Sequence, residues 1–309
     1  MQIIAPDRTK GTVAIEARSL VNPKDVPGLA AHLRERSPRA DAGLVVARYL
    51  SPSTRDALAE AELSYLDWTG NARVVLSAPG LAVLAPGANR DPFRTSDRPT
   101  NSLKGEPAAK VARALVDLRP PWKMRDLADE ARTSLGSTAR TADFLDREAL
   151  LTRENGSIVD ADWPGILDRW ARDYDLVGRR RLVSVLAPRG LDAIERALGD
   201  STATYAISGS LAARRIAPYA EARLGLVYTT DIDQLREQLD VRETPSRPNL
   251  LLIEPRDELP FVRARIEDGL RFAAPSQIYA DLMNGPGRST EEASALLDWM
   301  RAHEPAWRM

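Results

Sequence analysis

The sequence has no cysteine and only two histidines, His32 and His303, in 309 residues. The first absence excludes disulfides, thiol nucleophiles, cysteine-held zinc and iron–sulfur clusters, and it suits a reducing compartment. The second leaves no pair of neighbouring histidines for a metal or a catalytic triad, and both are expected at the surface. No apolar run approaches the roughly 18 residues a membrane helix needs. The stretch Met1 to Asp7 shows no basic segment followed by an apolar one, so a cytoplasmic protein with no membrane contact is expected. An excess of one charge is missing too. The 43 Lys and Arg face 44 Asp and Glu, a net charge of −1, so any nucleic-acid contact has to come from local placement of side chains rather than from a global field.

What is present is enough apolar material, 43% of the chain, to build more than one core, and the length predicts two or three domains. Residues 1–88 read as an α/β unit. Segments 12–16 and 44–49 are strand-like, and 27–35 and 53–62 are helical, the second behind the start signal Ser51-Pro52. A hairpin then runs from 63 to 76 around Gly70-Asn71, followed by a strand at 81–84 after Pro79-Gly80. Tyr65-Leu66-Asp67 with Gly70-Asn71 is similar to the core hairpin of restriction-endonuclease-like domains. In an active member of that family, Asp67 would hold Mg²⁺ together with a Glu-x-Lys on the next strand. Val74 to Leu84 contains neither acid nor lysine, which leaves at most Glu16 or Glu35 as partners. The alternative is an Asp67 that bonds its own turn, and a degenerate scaffold with no metal and no catalytic residue is expected.

Residues 89–104 are polar, proline-bearing and aperiodic, a linker pattern. The next domain, 105–178, opens with a helix at 106–118 whose stripe is Val111, Leu115 and Leu118, stopped by Pro120-Pro121. In 123–160, Leu127 and Ala131 share a helical face, Ser134-Leu135-Gly136 breaks the period, and Leu135, Thr138, Ala142 and Leu145 restart it. That second helix is expected to bury this stripe and to expose Ser137, Arg140, Thr141 and Asp143. Two short strands follow around Asn155-Gly156, a pair that tolerates the positive φ of a tight hairpin. Helix, turn, helix and hairpin in this order resemble the winged-helix domains of bacterial transcription regulators. The resemblance implies double-stranded DNA as partner and Ser134, Ser137, Arg140, Thr141, Arg153 and Asn155 as DNA-binding residues, with Arg125 and Arg132 as further candidates. The alternative is a winged helix used for dimerisation or protein contact, because acidic and basic residues nearly balance across this domain.

After a connector helix capped by Asp162, residues 179–309 alternate strand and helix, which predicts an α/β layered domain. Arg179-Arg180-Arg181 is either a phosphate contact or a solvated edge. Ser208-Gly209-Ser210 opening a helix, and Asp231 with Asp233 after a strand, are similar to nucleotidyltransferase-like domains, with Glu254 as the one candidate third carboxylate. Asp231 also reads as an ordinary N-cap. Ser208-Gly209-Ser210-Leu211-Ala212-Ala213, together with 269–288, 291–300 and the winged-helix pattern, resembles the AbiEi-type antitoxins and their actinobacterial helix-turn-helix relatives.

The sequence thus leads to an α/β (α+β) chain with an endonuclease-like unit, a central winged helix and a nucleotidyltransferase-like domain. The expected function is sequence-specific DNA binding by a transcriptional repressor. The alternatives are an antitoxin that neutralises a nucleotidyltransferase-type toxin by protein contact, and a metal-dependent nuclease or nucleotidyltransferase. No cofactor is expected; a cognate toxin and a second copy of the chain are further candidate partners.

Overall fold

The structure, a computed structural model, describes residues 1–93, 102–176, 178 and 181–309. Part of the expected linker at 89–104, and Arg179-Arg180, lie outside the described residues. The protein is of mixed α/β class, as expected. It clusters into two compact units, Met1–Thr100 with Ala142–Thr152, and Asn101–Thr141 with Arg153–Met309.

The first unit contains β1 (Gln2–Ile4), β2 (Lys10–Arg18), α1 (Val26–Arg36), β3 (Ala42–Ala47), α2 (Pro52–Glu60), β4 (Ser64–Asp67), β5 (Ala72–Leu76) and β6 (Leu81–Ala85). These strands form one sheet in sequence order, parallel from β2 to β4 and antiparallel elsewhere. Side chains alternate along β3. Val45 and Ala47 join Val26, Leu29, Leu33 and Leu58 of the two helices in one core, while Leu44 packs with Val13 and Leu76 on the other face. The Ser51 hydroxyl caps α2 by accepting from the Thr54 N–H at 3.2 Å, and Pro52 occupies the first turn, where its missing N–H costs nothing. Residues 142–152 belong to this unit. The Lys24 ammonium donates to Asp146 at 2.8 Å and the Ser53 hydroxyl donates to Glu148 at 2.5 Å.

The second unit opens with α3 (Glu106–Asp117), β7 (Trp122–Lys123) and α4 (Met124–Glu130). Then come α5 (Leu135–Arg147), β8 (Leu151–Glu154), β9 (Ser157–Ala161) and α6 (Trp163–Asp173). The partition of residues passes through α5 and β8. The three short strands form a small sheet in the order β7-β9-β8. Asn155 (φ 48°) and Gly156 (φ 80°) make the positive-φ corner of its hairpin, the geometry that Asn-Gly favours. The C-terminal part adds β10 (Arg181–Leu186), α7 (Leu191–Gly199), β11 (Tyr205–Ser208), α8 (Gly209–Ile216), β12 (Gly225–Thr229), α9 (Ile232–Leu239), β13 (Arg242–Glu243) and β14 (Leu250–Glu254). It ends with β15 (Arg265–Glu267), β16 (Leu270–Phe272), α10 (Pro275–Met283), α11 (Ser289–Ala302) and α12 (Glu304–Trp307). Its sheet runs β13-β10-β14-β12-β11-β16-β15, with β12 parallel to β14 and β11 parallel to β16.

A buried polar network joins α3 and α6 to α10 and this sheet. Arg113, wholly buried, donates from Nε and Nη2 to Asp117 at 3.1 and 3.0 Å and from Nη1 to Gln277 at 2.9 Å. Its guanidinium lies 5.5 Å from the Trp170 ring centroid. Asp117 also accepts from the Ser276 hydroxyl. Asp281 accepts from Ser208 at 2.5 Å, Tyr228 at 2.7 Å, Tyr174 at 2.8 Å and Gln277 at 3.0 Å. Its complete burial pushes the Asp281 carboxyl above the usual carboxylate range in spite of these four donors. Burial likewise raises the Tyr279 hydroxyl, which donates to Asp168 of α6 at 2.9 Å.

Candidate nucleic-acid interface

The helix-turn-helix is built by local hydrogen bonds that its sequence specifies. Ser134 stands just before α5, and its Oγ accepts from the Ser137 N–H at 3.2 Å, the bond of a helix N-cap. Ser134 Oγ also donates to Ser137 Oγ at 3.0 Å, and Arg140 Nη2 donates to the same Ser137 oxygen at 3.1 Å. Thr133 and Thr138 hydroxyls meet at 2.7 Å across the turn. Arg132, in the turn, has φ 51°. The result is a short ladder of hydroxyls ending on an exposed guanidinium.

Of the six residues expected at this surface, Ser134, Arg140 and Asn155 are exposed and Ser137 and Arg153 are half-buried. Thr141 differs from expectation. It is buried, 2% exposed, and its hydroxyl donates to the Ser137 carbonyl at 2.9 Å. Satisfying its polar atom within the helix lets it enter the interior without an unpaired group. Leu135 differs in the opposite sense: it was expected in the buried stripe but is 48% exposed, because it is the first residue of α5.

Charge separates the remaining candidates. Arg132 is held by Glu258 at 3.1 Å. Arg140 has no carboxylate in ion-pair reach among the described residues, and its one side-chain hydrogen bond goes to Ser137. Lys123, at the start of α4, and Arg125 in its first turn are exposed, again with no ion pair among the described residues. Arg125 is one of the further candidates named from the sequence. Lys123 was not expected, although a lysine immediately before an amphipathic helix is visible in the sequence. A cleft of about 380 Å³ beside α4 is lined by Lys110, Glu130, Arg132, Glu258, Phe261 and Arg263. Its cations are already paired, Lys110 with Glu106 at 2.8 Å, Arg132 with Glu258 and Arg263 with Glu130 at 2.7 Å, so it offers no uncompensated charge to an anion.

The two acidic sets with enzymatic resemblance are committed elsewhere. Asp67, 3% exposed, accepts from the backbone N–H groups of Leu50, Thr69 and Asn71 at 3.0, 2.8 and 3.1 Å, from the Thr69 hydroxyl at 2.7 Å and from the Asn71 amide at 2.8 Å. Burial pushes its carboxyl up, but these donors outweigh burial and hold it below the usual carboxylate range. Five donors occupy the lone pairs that a metal would need. Asp231 and Asp233 do not share a strand face, because α9 begins between them at Ile232. Asp231 caps that helix by accepting from the Gln234 N–H at 3.0 Å. Asp233 takes both its hydrogen bonds from Arg181 Nη2 at 2.8 Å, and Arg181 reaches Glu254 at 3.4 Å. Ser208, expected with Gly209 and Ser210 to open a helix, stands just before α8 and turns its hydroxyl inward to Asp281.

No group of three or more His, Asp or Glu side chains suited to a metal ion occurs among the described residues, and no described helix is long and apolar enough to cross a membrane. In comparisons with family models, with curated proteins and with solved structures, nothing matches this chain.

Proposed function

We propose that the protein is a sequence-specific double-stranded DNA-binding regulator that represses transcription. The observation that carries this reading is Arg140: an exposed guanidinium with no carboxylate in ion-pair reach among the described residues, early in the second helix of a helix-turn-helix. A guanidinium so placed can bond guanine O6 and N7 together in the major groove. Lys123 and Arg125 supply phosphate contacts, and Asn155 at the hairpin corner supplies a wing contact. With acidic and basic residues nearly balanced, DNA contact rests on the local placement of a few side chains. The resemblance to AbiEi-type antitoxins supports the same reading, since a helix-turn-helix is common to those proteins. Selection of bound duplexes from a random-sequence pool tests it. Enrichment of a defined motif is expected, and a pool that stays random after repeated rounds removes the proposal.

A further inference from the structure

A long, uncharged strand at the edge of a sheet presents unpaired backbone donors and acceptors to any other strand, and proteins ordinarily blunt such edges with charge, proline, bulges or short length. Three of the four edge strands of the two large sheets are blunted in this way. β1 has three residues, β13 is the charged pair Arg242–Glu243, and β15 carries Arg265 and Glu267. β6 is different. It is Leu81-Ala82-Val83-Leu84-Ala85, five residues without charge or proline, with Val83 43% and Leu84 72% exposed. One side pairs with β5, Val74 opposite Val83, and no strand covers the other side among the described residues.

The order of side chains along β6 says what fits there. In antiparallel pairing of β6 with the same strand of a second copy, centred on Val83, Leu81 stands opposite Ala85, Ala82 opposite Leu84, and Val83 opposite Val83. Every large residue meets a small one, and the only like pair is β-branched, a favourable cross-strand partner. A two-fold axis at Val83 places that residue against its own copy, so a charge at 83 would oppose a like charge; the uncharged valine avoids this. The next pair outward joins Gly80 to Pro86, and the missing N–H of proline ends the ladder there. We propose that β6 is the seam of a homodimer, in which two copies join their six-stranded sheets edge to edge through this register. The inference does not rest on the DNA-binding reading.

Light scattering on the full chain gives the first test, with a mass twice the 34.0 kDa of the chain expected. Val83→Lys places two ammonium groups opposite each other at the axis and should raise the dimer dissociation constant roughly tenfold or more, with an unchanged circular dichroism spectrum as the folding control. The absence of cysteine allows a second test. Val83→Cys should cross-link into a disulfide dimer on mild oxidation, whereas Leu81→Cys, whose own copy lies several residues away, should not. A monomer at micromolar concentration, a dimer indifferent to Val83→Lys, or equal cross-linking of both cysteine variants would each overturn the proposal.

Discussion

Arg113→Met removes a charge from the interior of the second unit while keeping most of the side-chain volume. Arg113 and Asp117 are 0% and 3% exposed. Once the guanidinium is gone, Asp117 retains the Ser276 hydroxyl and the longer contact from Arg263 at 3.5 Å, and Gln277 loses a donor. Removing one partner of such a pair typically costs about 3–5 kcal/mol, because the other charge stays buried without compensation. That is a large part of the roughly 5–15 kcal/mol that stabilises a typical domain. The double variant Arg113→Met/Asp117→Leu buries no orphaned charge and should recover part of the loss, so the two substitutions should be strongly non-additive. Urea denaturation followed by tryptophan fluorescence reads the effect, since every tryptophan except Trp68 belongs to the second unit. A cost below about 1 kcal/mol for Arg113→Met, within the range of an exposed pair, would show that the buried charge pair contributes no more than a surface one.

Three further outcomes follow from the same geometry. Asp67→Asn turns an amide donor toward a site already crowded with donors and should destabilise the first unit by on the order of 2–3 kcal/mol at neutral pH, measured by chemical denaturation. The Asp67 carboxyl is held below its unfolded value, so its stabilisation is present above the unfolded value and is lost as pH falls through the folded one. Acid titration of stability should therefore be flatter in Asp67→Asn than in the parent. Asp281 has the opposite sign: its folded value is raised, so it favours the fold most at low pH and loses that contribution as pH rises through the folded value. In Asp281→Asn that loss should disappear from denaturation curves taken across the acidic range. Lys123→Ala with Arg125→Ala should weaken DNA binding about equally for all sequences and reduce its salt dependence, read by gel shift in a salt series.

The sequence made much of the fold legible where periodicity and capping agreed. The helix expected to open at Ser208-Gly209-Ser210 is α8, and Ser51 and Asp231 act as the caps their positions suggested. The two- and three-residue strands β1, β7, β13, β15 and β16 were not legible, because so short a segment shows no alternation. The polar core was hidden for a different reason. Arg113 and Gln277 lie 164 residues apart, and a charged residue on a helix reads as solvent-facing until its distant partner is known. In the candidate interface, Ser134 and Arg140 could be read directly from the break and restart of helical spacing. Leu135 and Thr141 could not, since their exchange of interior and surface depends on where α5 begins and on a hydroxyl satisfied within the helix.

Fluorescence anisotropy with duplexes from the region upstream of the protein's own gene and with random-sequence duplexes, each at several salt concentrations, measures sequence-specific DNA binding by the helix-turn-helix. One upstream duplex is expected to bind at least roughly a thousandfold more tightly than random DNA, as specific sites typically do. Arg140→Ala is expected to reduce this preference by about 1–3 kcal/mol, roughly five- to a hundred-and-fifty-fold. Equal affinity for upstream and random duplexes, or a preference that survives Arg140→Ala unchanged, would contradict DNA recognition through Arg140.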